Sequence, residues 1–79
     1  MSIKAAITLL GGVYPAARAL GISAPTVYEW TTGKRNVPPK RCVQIEKLTG
    51  GVVTRADLRP NDYWEIWLDL PKKENHNGN

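Results

Sequence analysis

Ala16-Ala17-Arg18-Ala19-Leu20-Gly21-Ile22-Ser23-Ala24-Pro25-Thr26-Val27-Tyr28-Glu29-Trp30 decides the fold of this chain. The run reads as two short helices that pivot on Gly21. Ala17 lies one helical turn before the glycine and must be small, because a second helix crosses close to its Cβ. Gly21 supplies the positive φ that turns the chain tightly. Leu20, Ile22, Val27 and Trp30 then fill the angle between two helices that meet at roughly 90–120°. An ordinary helical hairpin with a glycine cap explains Gly21 but not the other positions. The spacing predicts a helix-turn-helix.

Outward from this run, Ile3, Ala6, Ile7 and Leu10 recur at helical spacing, so Ser2 to Leu10 is expected to form a first helix capped by Ser2 and stopped by Gly11-Gly12. The second helix is expected to start near Pro15, with Tyr14 where a small polar cap would normally stand. Ser23 is the expected N-cap of a third helix from Ala24 to about Thr31, and Pro25 is tolerated in its first turn. Gly33 to Pro38 reads as a loop. Pro39 then opens a fourth helix with Cys42, Ile45, Leu48 and Thr49 along one face, ended by Gly50-Gly51. Thr54-Arg55-Ala56-Asp57 is a capping signal for a single turn that Pro60 ends. Tyr63 to Leu70 fits either a strand or a helical face, and a short helical turn is preferred. The expected architecture is an all-α domain over residues 1–70, followed by a disordered polar tail over 71–79.

Seventy-nine residues hold one small domain near the lower limit for unaided stability. An apolar fraction of 42% with 23% charged residues is ordinary for a folded soluble domain. No apolar run approaches the roughly 18–20 residues of a membrane span, and no signal-peptide pattern opens the chain. Cys42 is the single cysteine, which leaves no intrachain disulfide and no cysteine-based zinc site and suits a cytoplasmic location. His76, the one histidine, has no second ligand beside it. No metal, cofactor, small-molecule substrate or enzymatic activity is expected, since no nucleophile stands with a base and no glycine-rich phosphate loop occurs.

The net charge of +4 is modest, but it is unevenly placed. Lys34, Arg35, Lys40, Arg41 and Lys47 crowd the stretch after the third helix, with Glu46 as its one acid. Asp57, Asp62, Glu65 and Asp69 follow farther on, against Arg55 and Arg59. A basic run beside a helix-turn-helix points to a phosphate-contacting surface on duplex DNA. Arg18, Lys34, Arg35, Asn36, Lys40 and Arg41 are the expected phosphate ligands, the fourth helix also offering its N-terminal N–H groups.

A helix of this kind enters the major groove with its N-terminal residues towards the base edges. The outward positions are Ser23, Ala24, Pro25, Tyr28, Glu29 and Thr32, with Thr26 at the margin. This face lacks the Arg, Gln or Asn that make bidentate base contacts. Ala24, Pro25 and the Thr26 methyl suit thymine methyls, and Tyr28 suits a base edge or a phosphate. Glu29 is open to two readings: acceptor from a cytosine amino group, or an acid that orients a nearby arginine. Trp30 has the position of a core wedge. Trp64, Ile66 and Trp67 read as a lid over the small core, as a self-association surface, or as both.

These residues carry a family likeness. Ala17 to Ser23, Pro25-Thr26-Val27, Trp30 and Gly33-Lys34-Arg35 resemble the prophage Cro and YdaS-type regulators. Pro38-Pro39-Lys40-Arg41-Cys42, Ile45-Glu46, Thr49-Gly50-Gly51 and Leu58-Arg59-Pro60 extend the resemblance, especially towards YdaS, over roughly residues 3 to 68. The resemblance implies a domain of about five helices of the lambda-repressor-like, Cro type. It further implies a weak or DNA-induced homodimer that binds double-stranded operator DNA and represses phage or prophage genes. YdaS-type proteins are also labelled antitoxins. The alternative is therefore a protein that contacts a toxin through Trp64, Ile66 and Trp67 and binds DNA only for autoregulation. Tyr14, Tyr28 and Glu29 depart from the family pattern, so no operator sequence carries over.

Overall fold

A computed structural model describes residues 1–73, and these form six helices: α1 (Ile3–Leu9), α2 (Val13–Leu20), α3 (Ala24–Thr32), α4 (Pro39–Leu48), α5 (Arg55–Leu58) and α6 (Tyr63–Ile66). Residues 74–79, most of the expected disordered tail, lie outside the described part. α2 packs chiefly on α3, with α1 against both, α4 against α2 and α5 against α4. Ala6, Ile7, Ala16, Ala17, Leu20, Val27, Trp30, Val37, Cys42, Ile45 and Val53 form one buried cluster. Ala17 and Trp30 are 5% and 3% exposed, as the small-residue and wedge positions require.

Local chemistry sets the helix ends. Ser2 and Ser23 cap α1 and α3 by accepting from the Ala5 and Thr26 N–H groups at 3.2 and 3.4 Å. Gly21 ends α2 at φ +72°, and its Cβ position is open space, so the glycine is there for its backbone conformation and not for room. Thr54 and Asp57 form a reciprocal capping box on α5. Two expectations are corrected. α2 begins at Val13 with Gly12 as its cap, two residues before Pro15. Proline fits there because the helix makes its first internal bond at Ala16 N–H, to the Gly12 carbonyl, so Pro15 still lies among positions whose N–H groups lack partners. Tyr14 is consequently inside the first turn and not at the cap. Leu48 is 45% exposed and does not share the buried face of Cys42 and Ile45. At about 100° per residue, each three-residue step falls about 60° short of a turn, and the second step carries Leu48 off the core.

Three arginines tie distant segments together. Arg55 pairs with Glu46 at 3.0 Å and Asp69 at 3.1 Å, and its guanidinium lies 5.4 Å from the Trp67 ring centre. Arg59 holds Asp62 at 2.8 Å and donates to the Val37 carbonyl at 2.9 Å, fastening the loop after α3 to the C-terminal segment. Those hydrogen bonds hold the Asp62 and Asp69 carboxyls below the ordinary carboxylate range. Burial pushes the Cys42 thiol up to about 11. Much of the acidic charge of the C-terminal segment is thus matched by its own arginines.

Candidate nucleic-acid interface

α3 is positioned by Val27 and Trp30, which point into the core, and this aims the opposite face outward. Ser23, Pro25, Tyr28 and Thr32 are exposed, with Ala24, Thr26 and Glu29 half-buried at the edges. Several polar groups on this face are already engaged. The Ser23 and Thr26 hydroxyls bond each other at 2.8 Å, and the Thr32 hydroxyl donates to the Glu29 carbonyl at 3.1 Å. Tyr28 is 60% exposed, while Val27 and Trp30 on the same helix are buried.

Glu29 does not stand alone. Its carboxylate lies 2.6 Å from Arg35 Nε and 3.6 Å from Lys34 Nζ, while its carbonyl accepts from the Arg35 N–H at 3.3 Å. The loop after α3 is thereby folded back, holding two cations at the C-terminal end of the outward face. Both cationic side chains remain about two-thirds or more exposed, at 67% for Arg35 and 73% for Lys34. Asn36 is exposed beside them.

The other expected phosphate ligands divide. Arg18 and Lys40 are exposed and, among the described residues, have no carboxylate within 4.0 Å. Arg41 is half-buried: its Nη1 donates to the Leu20 carbonyl at 3.0 Å and to Gln44 Oε1 at 2.7 Å. It caps the C-terminus of α2, where a cation also meets the negative end of the helix dipole. The C-terminal trio is likewise split. Trp67 packs against the core, while Trp64 meets Tyr63 edge-on at 5.1 Å and lies under Lys72 Nζ at 4.8 Å. Ile66 is half-buried, and the neighbouring Leu68, 89% exposed, was not singled out from the sequence.

Sequence reasoning also missed Tyr14. It is 75% exposed and lines a surface notch with Val13, Ala24, Pro25 and Tyr28. The available signal was helical register, since Tyr14 lies four residues before Arg18 and shares its outer side of α2. Among the described residues no group of three or more His, Cys, Asp or Glu side chains is arranged to hold a metal, and no helix is long and apolar enough to cross a membrane.

Two helices hinged at a left-handed glycine, the second with its N-terminal face free and cations behind it, define a helix-turn-helix domain. The solved structure described as "Structure of the Cro protein from putative prophage element Xfaso 1 in Xylella fastidiosa strain Ann-1" has a similar fold, with a TM-score of 0.67 and 39% identity over 75% of this chain and 89% of that one. The chain belongs to the YdaS family, whose model, described as "Bacterial toxin YdaS", matches residues 3–67. It is 43% identical over 63 residues to the Escherichia coli (strain K12) protein described as "Putative transcriptional regulator YdaS". That match spans 80% of this chain and 64% of the relative's length.

Proposed function

We propose that this protein is a DNA-binding transcriptional regulator that represses phage or prophage genes. It does so as a weak or DNA-induced dimer on operator DNA. The observation that carries the reading is the outward face of α3, flanked by exposed Arg18, Lys34, Arg35 and Lys40, on a Cro-like fold. α3 enters the major groove, where Ser23, Ala24, Pro25, Thr26, Tyr28 and Thr32 meet base edges, while Glu29 orients Arg35 and Lys34. Arg18, Lys34, Arg35, Asn36 and Lys40 neutralise phosphates, with Arg41 fixing the helices that present them. With no long amide or guanidinium side chain on α3, most affinity comes from phosphates, so binding falls steeply with salt.

A symmetric dimer sets its two α3 helices about 34–36 Å apart, or a multiple of that. Trp64, Ile66 and the exposed Leu68 supply the contact between copies. The exposure of Leu68 also favours a second reading, in which this segment meets a different protein such as a toxin.

The test separates positioning from reading. Arg35→Ala weakens binding to every duplex and lowers the slope of log K against log salt by about 1. Tyr28→Ala instead changes which sequence is preferred. An Arg35→Ala protein with unchanged affinity and slope refutes the phosphate assignment.

A further inference from the structure

The notch at the N-terminal ends of α2 and α3 has a chemistry of its own. Val13 and Tyr14 come from the first turn of α2, Ala24, Pro25 and Tyr28 from the first turns of α3, and together they enclose about 450 Å³ of open surface space. Apart from the two phenol hydroxyls the lining side chains are apolar, and none is a carboxylate, guanidinium or amide. Ala24 and Pro25 are short, which lets a partner approach the backbone of α3 closely. Tyr14 and Tyr28 stand on either side, 75% and 60% exposed. Glu29, one turn beyond Pro25, is neutralised at the rim by Arg35 and Lys34. Arg18 follows Tyr14 by one turn on the exposed side of α2.

We propose that this notch seats the 5-methyl edge of a pyrimidine in the major groove, with Tyr14 as a specificity-determining residue beside Tyr28. The proposal rests on the DNA-binding reading and deepens it. The notch is continuous with the proposed base-reading face of α3, and Arg18 supplies a cation beside it on α2. Only thymine among the standard bases offers an apolar group in the major groove. A lining without amide or guanidinium groups reads that methyl and little else. Burying one methyl group is worth about a four-fold gain in affinity. The same methyl also occurs on 5-methylcytosine, and the chemistry of the notch accepts either source.

The experiment starts from duplexes that the full chain enriches out of a random pool. Each thymidine is replaced singly by deoxyuridine, which removes only the methyl group, and affinity is read by fluorescence anisotropy. The wild type loses about four-fold at one thymine step per half-site. Tyr14→Ala, a change at an exposed position verified to be folded by circular dichroism, loses less than about two-fold at that step and keeps the wild-type salt slope. Duplexes with cytosine or 5-methylcytosine at the same step tell the two sources apart, and preference for either methylated base supports the notch. Deoxyuridine that is neutral at every position, or Tyr14→Ala with full discrimination, overturns the proposal. Loss of self-association in Tyr14→Ala, with discrimination retained, assigns the notch to a second copy and also overturns it. If the pool yields no enriched duplex at all, the DNA-binding reading itself fails.

Discussion

Replacing Glu29 by Gln removes one negative charge from the proposed DNA face and releases two cations without changing side-chain size. In the free protein the carboxylate holds Arg35 Nε at 2.6 Å and Lys34 Nζ at 3.6 Å. Any phosphate that takes Arg35 must compete with that pair. The cationic side chains are 67% and 73% exposed, so water screens the interaction. Pairs of this kind are worth about 0.2–1 kcal/mol, which corresponds to between about 1.4-fold and 5-fold in affinity. Glu29→Gln is therefore expected to tighten binding to random-sequence duplex by about 1.4- to 5-fold at low salt, with the gain shrinking as salt rises. Thermal stability falls by less than about 1 kcal/mol, because the Thr32–Glu29 and Arg35–Glu29 backbone bonds remain. Fluorescence anisotropy on a scrambled duplex at two salt concentrations measures the first effect, and a thermal melt the second. Unchanged or weaker binding to scrambled DNA at low salt would refute the view that Glu29 restrains phosphate-binding cations.

Gly21→Ala imposes a left-handed conformation on a residue with a Cβ but meets no steric obstacle, so it should cost about 1–2 kcal/mol in urea denaturation. Arg41→Ala breaks the charge-assisted bond to the Leu20 carbonyl and should cost about 1.5 kcal/mol. Lys40→Ala, at an exposed position, should stay within about 0.5 kcal/mol and show its effect in the salt slope. The Cys42 thiol has a folded-state value raised by burial to about 11 from an ordinary 9.0. Its neutral form is favoured in the fold, so this stability is fully present below pH 9 and is lost as pH rises towards 11. The loss amounts to about 2–3 kcal/mol. Urea titrations of wild type and Cys42→Ala between pH 8 and 11 should converge as the thiol ionises.

The helix-turn-helix was legible because its information is local. Ala17, Gly21, Val27 and Trp30 lie within four turns of chain, and their steric roles follow from one hinge. The helix caps at Ser2, Ser23 and Thr54 were equally readable, since each bonds a group three residues away. What escaped depends on contacts across the fold. Arg41 reads as one more member of a basic run until α4 is seen to place it against the end of α2, twenty-one residues earlier in the chain. Arg55 and Arg59 look like minor charges in an acidic stretch, yet they bind Glu46, Asp69, Asp62 and the Val37 carbonyl. Tyr14 lies inside the first turn of α2 because Gly12 serves as the cap, and its place beside Tyr28 exists only once α2 and α3 cross. Tyr63 joins the buried residues for the same reason: its surroundings come from elements that sequence pattern alone does not assemble.

The most direct measurement is an anisotropy titration of the full chain with duplex DNA from its gene's own upstream region and with a scrambled duplex, at two salt concentrations. A sequence-reading regulator binds the upstream duplex far more tightly than the scrambled one, and both affinities fall steeply as salt rises. Equal and feeble binding to both would contradict DNA recognition by α3 and shift attention to a protein partner of Trp64, Ile66 and Leu68.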